Sequence, residues 1–327
     1  MKKIIITGAA GFIGFHTTKL YLEKGYFVLG IDNLNDSYDT EIKKFRIKEL
    51  KNFESFTFKK LDISNKDKLD KEFAAFSKNS KPEAIINLAA RTGVRKSTEN
   101  PTVYYMTNVI GALNIAELAV RYKIKSLIHA STSSVYGDSK ARKFSLDAET
   151  SMPISNYAAS KKSSEVLLYA FSKLSKINVT VLRFFTVYGP SGRPDMSPFI
   201  FIESNIRRKR ISLFGNGLQK RDFTYVDDIV SGIFKSTKLK GFNILNLGNN
   251  NPVSIKYLLS LVEKITKTKN IIKELPPLPE DVFYTSADIS KTKKLLNWVP
   301  TTNISEGIKK TYNWHTENIK WIKNIKI

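Results

Sequence analysis

The segment Ile4-Ile5-Ile6-Thr7-Gly8-Ala9-Ala10-Gly11-Phe12-Ile13-Gly14 joins a β-branched apolar run to a turn punctuated by glycine. The run from Ile4 to Thr7 reads as a buried strand. The pattern from Ile13 to Lys24, stopped by Gly25, reads as a helix. Between them, glycine recurs at every third position. Glycine there permits the tight turn, lets backbone approach a pyrophosphate and lets helix pack on strand. The helix start then offers unsatisfied N–H groups to phosphate oxygens. Gly8, Gly11, Phe12, Ile13 and Gly14 are therefore expected to hold a dinucleotide. Asp32 ends the next strand, Phe27 to Ile31. Its carboxylate can accept both hydroxyls of an adenosine ribose and would repel a 2′-phosphate, so NAD is expected over NADP. Asp62, after the strand-like run Phe56 to Leu61, either reaches the adenine or caps a helix over Ser64 to Leu69.

Further strands are expected at Ala84 to Leu88, Ser126 to Ala130 and Val179 to Phe184, with helices around Thr107 to Tyr122 and Ala158 to Ser175 between them. Continuous apolar strands alternating with helices specify a parallel sheet covered on both faces, a doubly wound α/β fold. Beyond residue 186, proline, glycine and polar turns become frequent. Phe242 to Leu247 reads as one more strand of the sheet, followed by a helix from Ser254 to Thr268, a loop with Pro276, Pro277 and Pro279, and two terminal helices. The expected division is a dinucleotide-binding domain over residues 1–186, its sheet rejoined by about 226–250, and a smaller α+β substrate domain over 187–327.

Length and composition bound the chemistry. A chain of 327 residues is one large domain or two at roughly 150 residues each. With no cysteine there is no disulfide scaffold, cysteine zinc site or thiol nucleophile, and three histidines argue against a histidine metal centre. No metal is expected. The net charge of +23 comes from 53 Lys+Arg against 30 Asp+Glu. Its short basic runs, such as Lys43-Lys44 and Arg207 to Arg210, are scattered, which reads as a solvated lysine-rich surface and not as a nucleic-acid tract. The apolar start, Met1 to Thr7, is too short for a signal or spanning segment. The expectation is a cytoplasmic protein with neither nucleic-acid nor membrane partner.

Tyr157-Ala158-Ala159-Ser160-Lys161 sets a phenol and an ammonium four apart, on one helix face. A phenol titrates near 10, too high for a base at neutral pH; a nearby ammonium and a nicotinamide cation both favour the phenolate. Upstream, the strand from Ser126 ends on the hydroxyl run Ser131-Thr132-Ser133-Ser134, and strand carboxyl ends face the ligand crevice of such a sheet.

Together these features resemble the extended short-chain dehydrogenase/reductase family, within it the nucleotide-sugar epimerases and dehydratases. The resemblance is carried by the glycine loop, Asn87-Leu88-Ala89-Ala90, Asn108, Thr132 ahead of Tyr136, the pair Tyr157 and Lys161, Arg183 to Pro190, and Arg221 to Asp228. It runs on to Ala287-Asp288-Ile289 and Leu295 to Trp298, and so covers the chain. It implies a Rossmann-type fold, NAD as cofactor, a UDP-sugar substrate and a homodimer formed by two helices of each subunit, here about Val103 to Tyr122 and Ala158 to Ser175. It implies cofactor contacts from Asn33, Asp62, Ile63, Leu88, Ala89, Ala90, Asn108 and Lys161. Tyr157 is then the base at the 4-hydroxyl, with Thr132 hydrogen-bonding the 4-oxygen and Lys161 holding the nicotinamide ribose.

Within the family, Asp32 to Asp36 with Tyr38-Asp39, and Gly192 to Met196, are similar to the branch that inverts C4 of UDP-hexuronic acids, UDP-glucuronate to UDP-galacturonate. The dehydratases carry Asp-Glu after the threonine, the decarboxylases a Glu at the position of Ser134, and the UDP-galactose epimerases an Asn at the position of Thr186. Ser133, Ser134, Thr186 and Arg193 instead suit a sugar carboxylate, with Arg221 on the diphosphate. Asp281 is a weaker substrate contact, because Glu280 replaces the family's usual glycine. The alternatives are a UDP-glucose/galactose or UDP-N-acetylhexosamine 4-epimerase, a UDP-glucuronate decarboxylase, and a non-catalytic NAD-binding regulator, the last opposed by retention of Tyr157 and Lys161.

Overall fold

A computed structural model describes residues 2–139, 141–277 and 282–326. Asp281 and Glu280 lie outside the described residues.

Six of the apolar runs form β1 (Lys3–Thr7), β2 (Phe27–Asp32), β3 (Phe56–Lys60), β4 (Ala84–Asn87), β5 (Ser126–Thr132) and β6 (Asn178–Phe184). With the Phe242–Leu247 strand they make one parallel sheet of seven, in the spatial order Phe242–Leu247, β6, β5, β4, β1, β2, β3. The order reverses direction at β1, the switch point at which such sheets bind ligands. Both faces are buried. Ile4, Ile6, Val28, Ile86, Ile128 and Leu182 pack on one side, and Ile5, Leu29, Ile31, Ile85, Leu127 and Val179 on the other. Alternation of side chains between two apolar layers is why these strands read as unbroken hydrophobic runs.

Helix α1 (Phe12–Glu23) follows the glycine turn, α2 (Thr40–Leu50) follows β2, and α3 (Lys66–Ser77) follows β3. Asn65, not Asp62, caps α3, accepting the Lys68 N–H at 3.1 Å. The helix expected from Thr107 begins earlier. Pro101 to Arg121 is continuous, with one π turn at Met106–Ile110. This helix is long and apolar enough to cross a membrane by length and composition, but 56% of its most apolar window is buried within the protein. The Asn156–Ser175 helix packs beside it.

After β6 the chain leaves the sheet and re-enters once at Phe242–Leu247; among the described residues the segments on either side of that strand form three two-stranded pairings. A separate apolar core gathers Phe201, Ile202, Leu258, Val262 and Ile308. Three helical segments end the chain, Ser290–Leu296, Ile304–Glu317 and Ile319–Ile322, where the sequence suggests two.

Candidate active site

A cleft of about 390 Å³ runs along the carboxyl ends of the strands. The loops after β1 to β6 contribute in spatial order: Asp62 and Ile63 after β3, Asp32 and Asn33 at the end of β2, and the glycine turn after β1. Leu88 to Ala90 follow β4, Thr132 to Ser134 follow β5, and Phe185 to Val187 follow β6. Tyr157, Lys161 and Arg193 complete the wall. Most of the residues expected from the sequence to share one site, drawn from many separate loops, thus meet in one groove.

The glycine turn fits a pyrophosphate. Gly8 sits at φ +71°, and a Cβ on it would lie 2.7 Å from the Ala89 nitrogen. Gly14 packs against the Gly8 carbonyl, which leaves no room for a Cβ. The first turn of α1 has neither a capping side chain nor an acidic residue, so its N–H groups and positive dipole end remain available to an anion. Asp32 braces this turn from behind: one carboxylate oxygen accepts the Ala10 N–H at 3.2 Å, the other the Leu34 N–H at 2.8 Å. Asn33 donates to Asp62 at 2.7 Å, and hydrogen bonds from Asn33 and Ser64 hold Asp62 below the usual carboxylate range against the opposing effect of burial. Both acids stand at the end of the cleft where an adenosine ribose belongs. The residues present therefore fit NAD.

Asn108 is placed differently from a ligand contact. It is buried, its Oδ1 accepts the Arg91 N–H, and its Nδ2 donates to the Arg91 carbonyl and to Ser160 Oγ. Its amide is consumed in fastening the 91–94 loop to the Asn156–Ser175 helix. Arg221, too, lies off the cleft wall, on the short strand Lys220–Arg221, with Nη1 donating to the Lys220 carbonyl. Neighbouring Asp222 accepts backbone N–H groups of Asn249, Asn250 and Ala287, and Asp228 accepts those of Thr301 and Thr302.

Tyr157 opens the long helix, whose N-cap Ser155 accepts the Ala158 N–H at 3.1 Å. Burial pushes the phenol above its ordinary value; a hydrogen bond from Thr132 and the charge of Arg193 pull it back. The sequence suggested Lys161 as the helping cation. In the structure that cation is Arg193, because the Lys161 ammonium is engaged deeper in the protein. Lys161 is 1% exposed and brought down to about 8 by burial, opposed by Glu165 one turn along. Its Nζ lies 3.4 Å from Nε2 of buried His129. Burial and that ammonium keep His129 well below its usual value, hence neutral. Glu165 is itself held by one edge of Arg183, through Nε at 2.9 Å and Nη2 at 2.7 Å, and by Ser131 at 2.5 Å.

Around the hydroxyl run, Thr132 Oγ1 accepts the Ser134 N–H and donates to Ser134 Oγ, both at 3.1 Å. The Thr186 N–H donates to the Asp222 carbonyl, tying this hydroxyl to the Phe223–Tyr225 strand. Arg193 pairs with Asp195 through Nε at 3.0 Å and Nη2 at 2.6 Å, donates from Nη1 to Thr92 Oγ1 at 2.5 Å, and lies over the Tyr38 ring. A guanidinium has five N–H donors, so among the described residues two remain for a ligand.

Two buried cations, of which Lys43 lies on the cleft wall, escaped the sequence reading. Lys43, there counted as part of a solvated run, is 4% exposed, with Nζ 3.1 Å from Asn35 Oδ1 and 3.9 Å from Asp32. Arg46, one turn further along α2, is 0% exposed. The available signal was their spacing: residues three apart on a helix beginning just after Asp32 share the face that looks back at the cleft.

The family model of the NAD dependent epimerase/dehydratase family matches residues 4–248. A UDP-glucuronate 4-epimerase from Thermodesulfobacterium geofontis is 46% identical over 324 residues, covering 99% of each chain. The crystal structure of a UDP-glucuronic acid 4-epimerase from Bacillus cereus with UDP-glucuronic acid and NAD has a TM-score of 0.90 at 34% identity, covering 97% of this chain and 99% of that one. A UDP-glucose 4-epimerase from Thermotoga maritima with UDP-glucose has a TM-score of 0.89 at 29% identity, with the same coverage.

Proposed function

The chain belongs to the NAD dependent epimerase/dehydratase family, and from that premise we propose that it interconverts UDP-glucuronate and UDP-galacturonate by inversion at C4, with NAD as resident cofactor. The observation that carries the choice of substrate is a guanidinium, Arg193, on the same cleft wall as Tyr157, with the hydroxyls of Ser133, Ser134 and Thr186 and no acid in the hydroxyl run. A carboxylate at C5 matches that set, because charge-assisted hydrogen bonds from a planar fork suit it.

NAD, when bound, takes the C4 hydride to leave a 4-keto sugar and returns it to the opposite face. The glycine turn and the α1 N-terminus would hold its pyrophosphate, Asp32 its adenosine ribose, and Lys161 the ribose next to the reacting ring. Tyr157 would take the 4-hydroxyl proton and later give it back. Thr132 would hold the same oxygen and keep the proton on one line. Arg193 and the three hydroxyls would fix the carboxylate. Arg221 lies off the cleft wall, and the diphosphate role expected of it rests on the family resemblance alone. On this reading the chain has a cofactor half over 1–186, its sheet rejoined by about 226–250, and a substrate half over 187–327.

Incubation with UDP-glucuronate without added NAD, followed by proton NMR, tests the reading. The expected result is UDP-galacturonate appearing to a fixed ratio from either side. Inert UDP-glucuronate with turnover of UDP-galactose would overturn it in favour of a neutral-sugar epimerase.

A homodimer fits the surface. Tyr105, Met106 and Ile110 on the Pro101–Arg121 helix, and Val166, Tyr169 and Leu174 on the Asn156–Ser175 helix, are exposed apolar residues, and Leu174 is 85% exposed. A second copy on these helices would form a four-helix contact. Light scattering should then give twice the 37.1 kDa chain mass, and a monomer mass at micromolar concentration would refute the dimer. On the same reading the protein works in the cytoplasm, without a nucleic-acid or membrane partner.

A further inference from the structure

Arg46 is among the largest fully buried side chains, and among the described residues no carboxylate pairs with it. A buried guanidinium without a counter-ion is costly unless its donors are satisfied. Here they are, by oxygens from three separated segments. Nη1 donates to the Ala10 carbonyl at 2.9 Å and to the Tyr38 hydroxyl at 2.9 Å. Nη2 donates to the Ser191 carbonyl at 2.5 Å and the Gly192 carbonyl at 3.1 Å, and Nε to Ser191 Oγ at 3.2 Å. Ala10 belongs to the glycine turn. Ser191 and Gly192 immediately precede Arg193. Tyr38 is the ring on which Arg193 lies.

The loop it holds does not take its shape unaided. Ser191 adopts φ +54°, a left-handed conformation that non-glycine residues avoid, and it is fully buried. All three Arg46 contacts on this loop fall at that strained residue and the next one. His16 of α1 also grips the backbone of this segment, its Nε2 lying 2.9 Å from the Pro190 carbonyl. The loop bearing Arg193 is thus built on helices of the cofactor half.

We propose that Arg46 is a positioning residue that sets the aim of Arg193 and ties the carboxylate-reading loop to the glycine turn. The guanidinium acts as a rigid spacer. It fixes Ser191 and Gly192 from behind and Tyr38 from below, so the side chain of Arg193 leaves the backbone in one direction. Because the same group grips Ala10, any shift of the glycine turn is transmitted to residue 191. The functional consequence rests on the substrate reading above; the structural one does not.

Arg46→Lys keeps the charge but replaces a planar five-donor fork by a single ammonium, which cannot serve all three segments. Hydrogen exchange on the ligand-free protein should show amides of residues 189–196 exchanging about tenfold faster or more, with the core strands unchanged. With UDP-glucuronate, KM should rise about tenfold while kcat stays within a few-fold, the signature of a lost binding contact. In the double variant Arg46→Lys/Arg193→Ala, KM and product ratio should match Arg193→Ala alone, since a residue acting through another adds nothing once that other is gone. Unchanged exchange at 189–196, or additive effects in the double variant, would overturn the proposal. If wild-type protein ignores UDP-glucuronate, the substrate reading fails and the exchange experiment still decides the role of Arg46. Should Arg46→Lys not fold, Ser191→Ala removes only the acceptor of Nε and should give the same loop-confined exchange at smaller amplitude; no change there would equally overturn it.

Discussion

Replacing Tyr157 by Phe is expected to lower kcat on UDP-glucuronate by about 10³-fold, within the range that a positioned general base contributes, while NAD content and nucleotide-sugar affinity stay close to wild type. Only an oxygen is removed. The ring keeps its edge contact with Tyr104, at 6.3 Å between centroids, and the helix keeps its Ser155 cap. The cost is therefore chemical, because the oxygen removed is the one that carries the C4 proton. Thr132 stands beside it, but a threonine hydroxyl does not ionise at neutral pH and can only relay.

The pH profile separates this role from a structural one. In the ligand-free protein burial holds the phenol above its usual value, and Thr132 and Arg193 act against that. Wild-type kcat/KM should therefore rise with pH as the phenol loses its proton, and the residual rate of Tyr157→Phe should not follow that limb. Thr132→Val should also shift the limb upward, because it deletes a hydrogen bond that lowers the phenol. A Phe variant retaining a tenth of kcat, or keeping the wild-type limb, would move the base elsewhere.

Most of the sheet was legible in sequence because its strands are covered on both faces. Such strands are apolar throughout, and Ile4 to Ile6, Ile85-Ile86 and Val179 to Leu182 need no alternation to be recognised. The glycine turn was legible for a local reason, since each glycine answers a backbone approach within the turn or to the next loop. Tyr157 and Lys161 were legible as a pair because a helix brings residues four apart together. What stayed hidden was charge made buried by distant partners. Lys43 and Arg46 sit in a lysine-rich stretch that reads as solvated, and only the loop at 191–192 turns the second into a core residue. Asn108 has the opposite history. Its identity suggested a ligand contact, but Arg91 and Ser160 take up its amide, and neither partner is near it in sequence. The direction of the Lys161 ammonium, toward His129 and Glu165, was likewise decided by β5 and the helix interior.

Arg193→Ala is expected to change the product as well as the rate. The oxidised sugar of a hexuronate is a β-keto acid. When its C5–carboxylate bond aligns with the C4 carbonyl π system, that bond breaks, its electron pair enters the enolate, and CO2 leaves. Protonation at C5 and reduction at C4 then give a UDP-pentose. Epimerisation requires that the alignment be denied while the sugar turns over. Hydrogen bonds that fix the carboxylate do this by orientation, the kind of control that positioning supplies elsewhere in catalysis. Arg193 is suited to it because Asp195 and Thr92 already fix its plane, leaving two donors on a side chain that does not itself swing. Losing one charge-assisted hydrogen bond, at about 1.5–3 kcal/mol, should raise KM roughly 10–100-fold. The pentose-to-epimer ratio should rise about tenfold or more, because a sugar left with Ser133, Ser134 and Thr186 alone samples the aligned conformer. Arg193→Lys should recover the charge but little of the ratio, since an ammonium does not present a fork. NMR of the sugar protons reads both products in one tube. An unchanged ratio in Arg193→Ala would assign control of the carboxylate to the three hydroxyls, and with it the reason that no acid stands at Ser133 or Ser134.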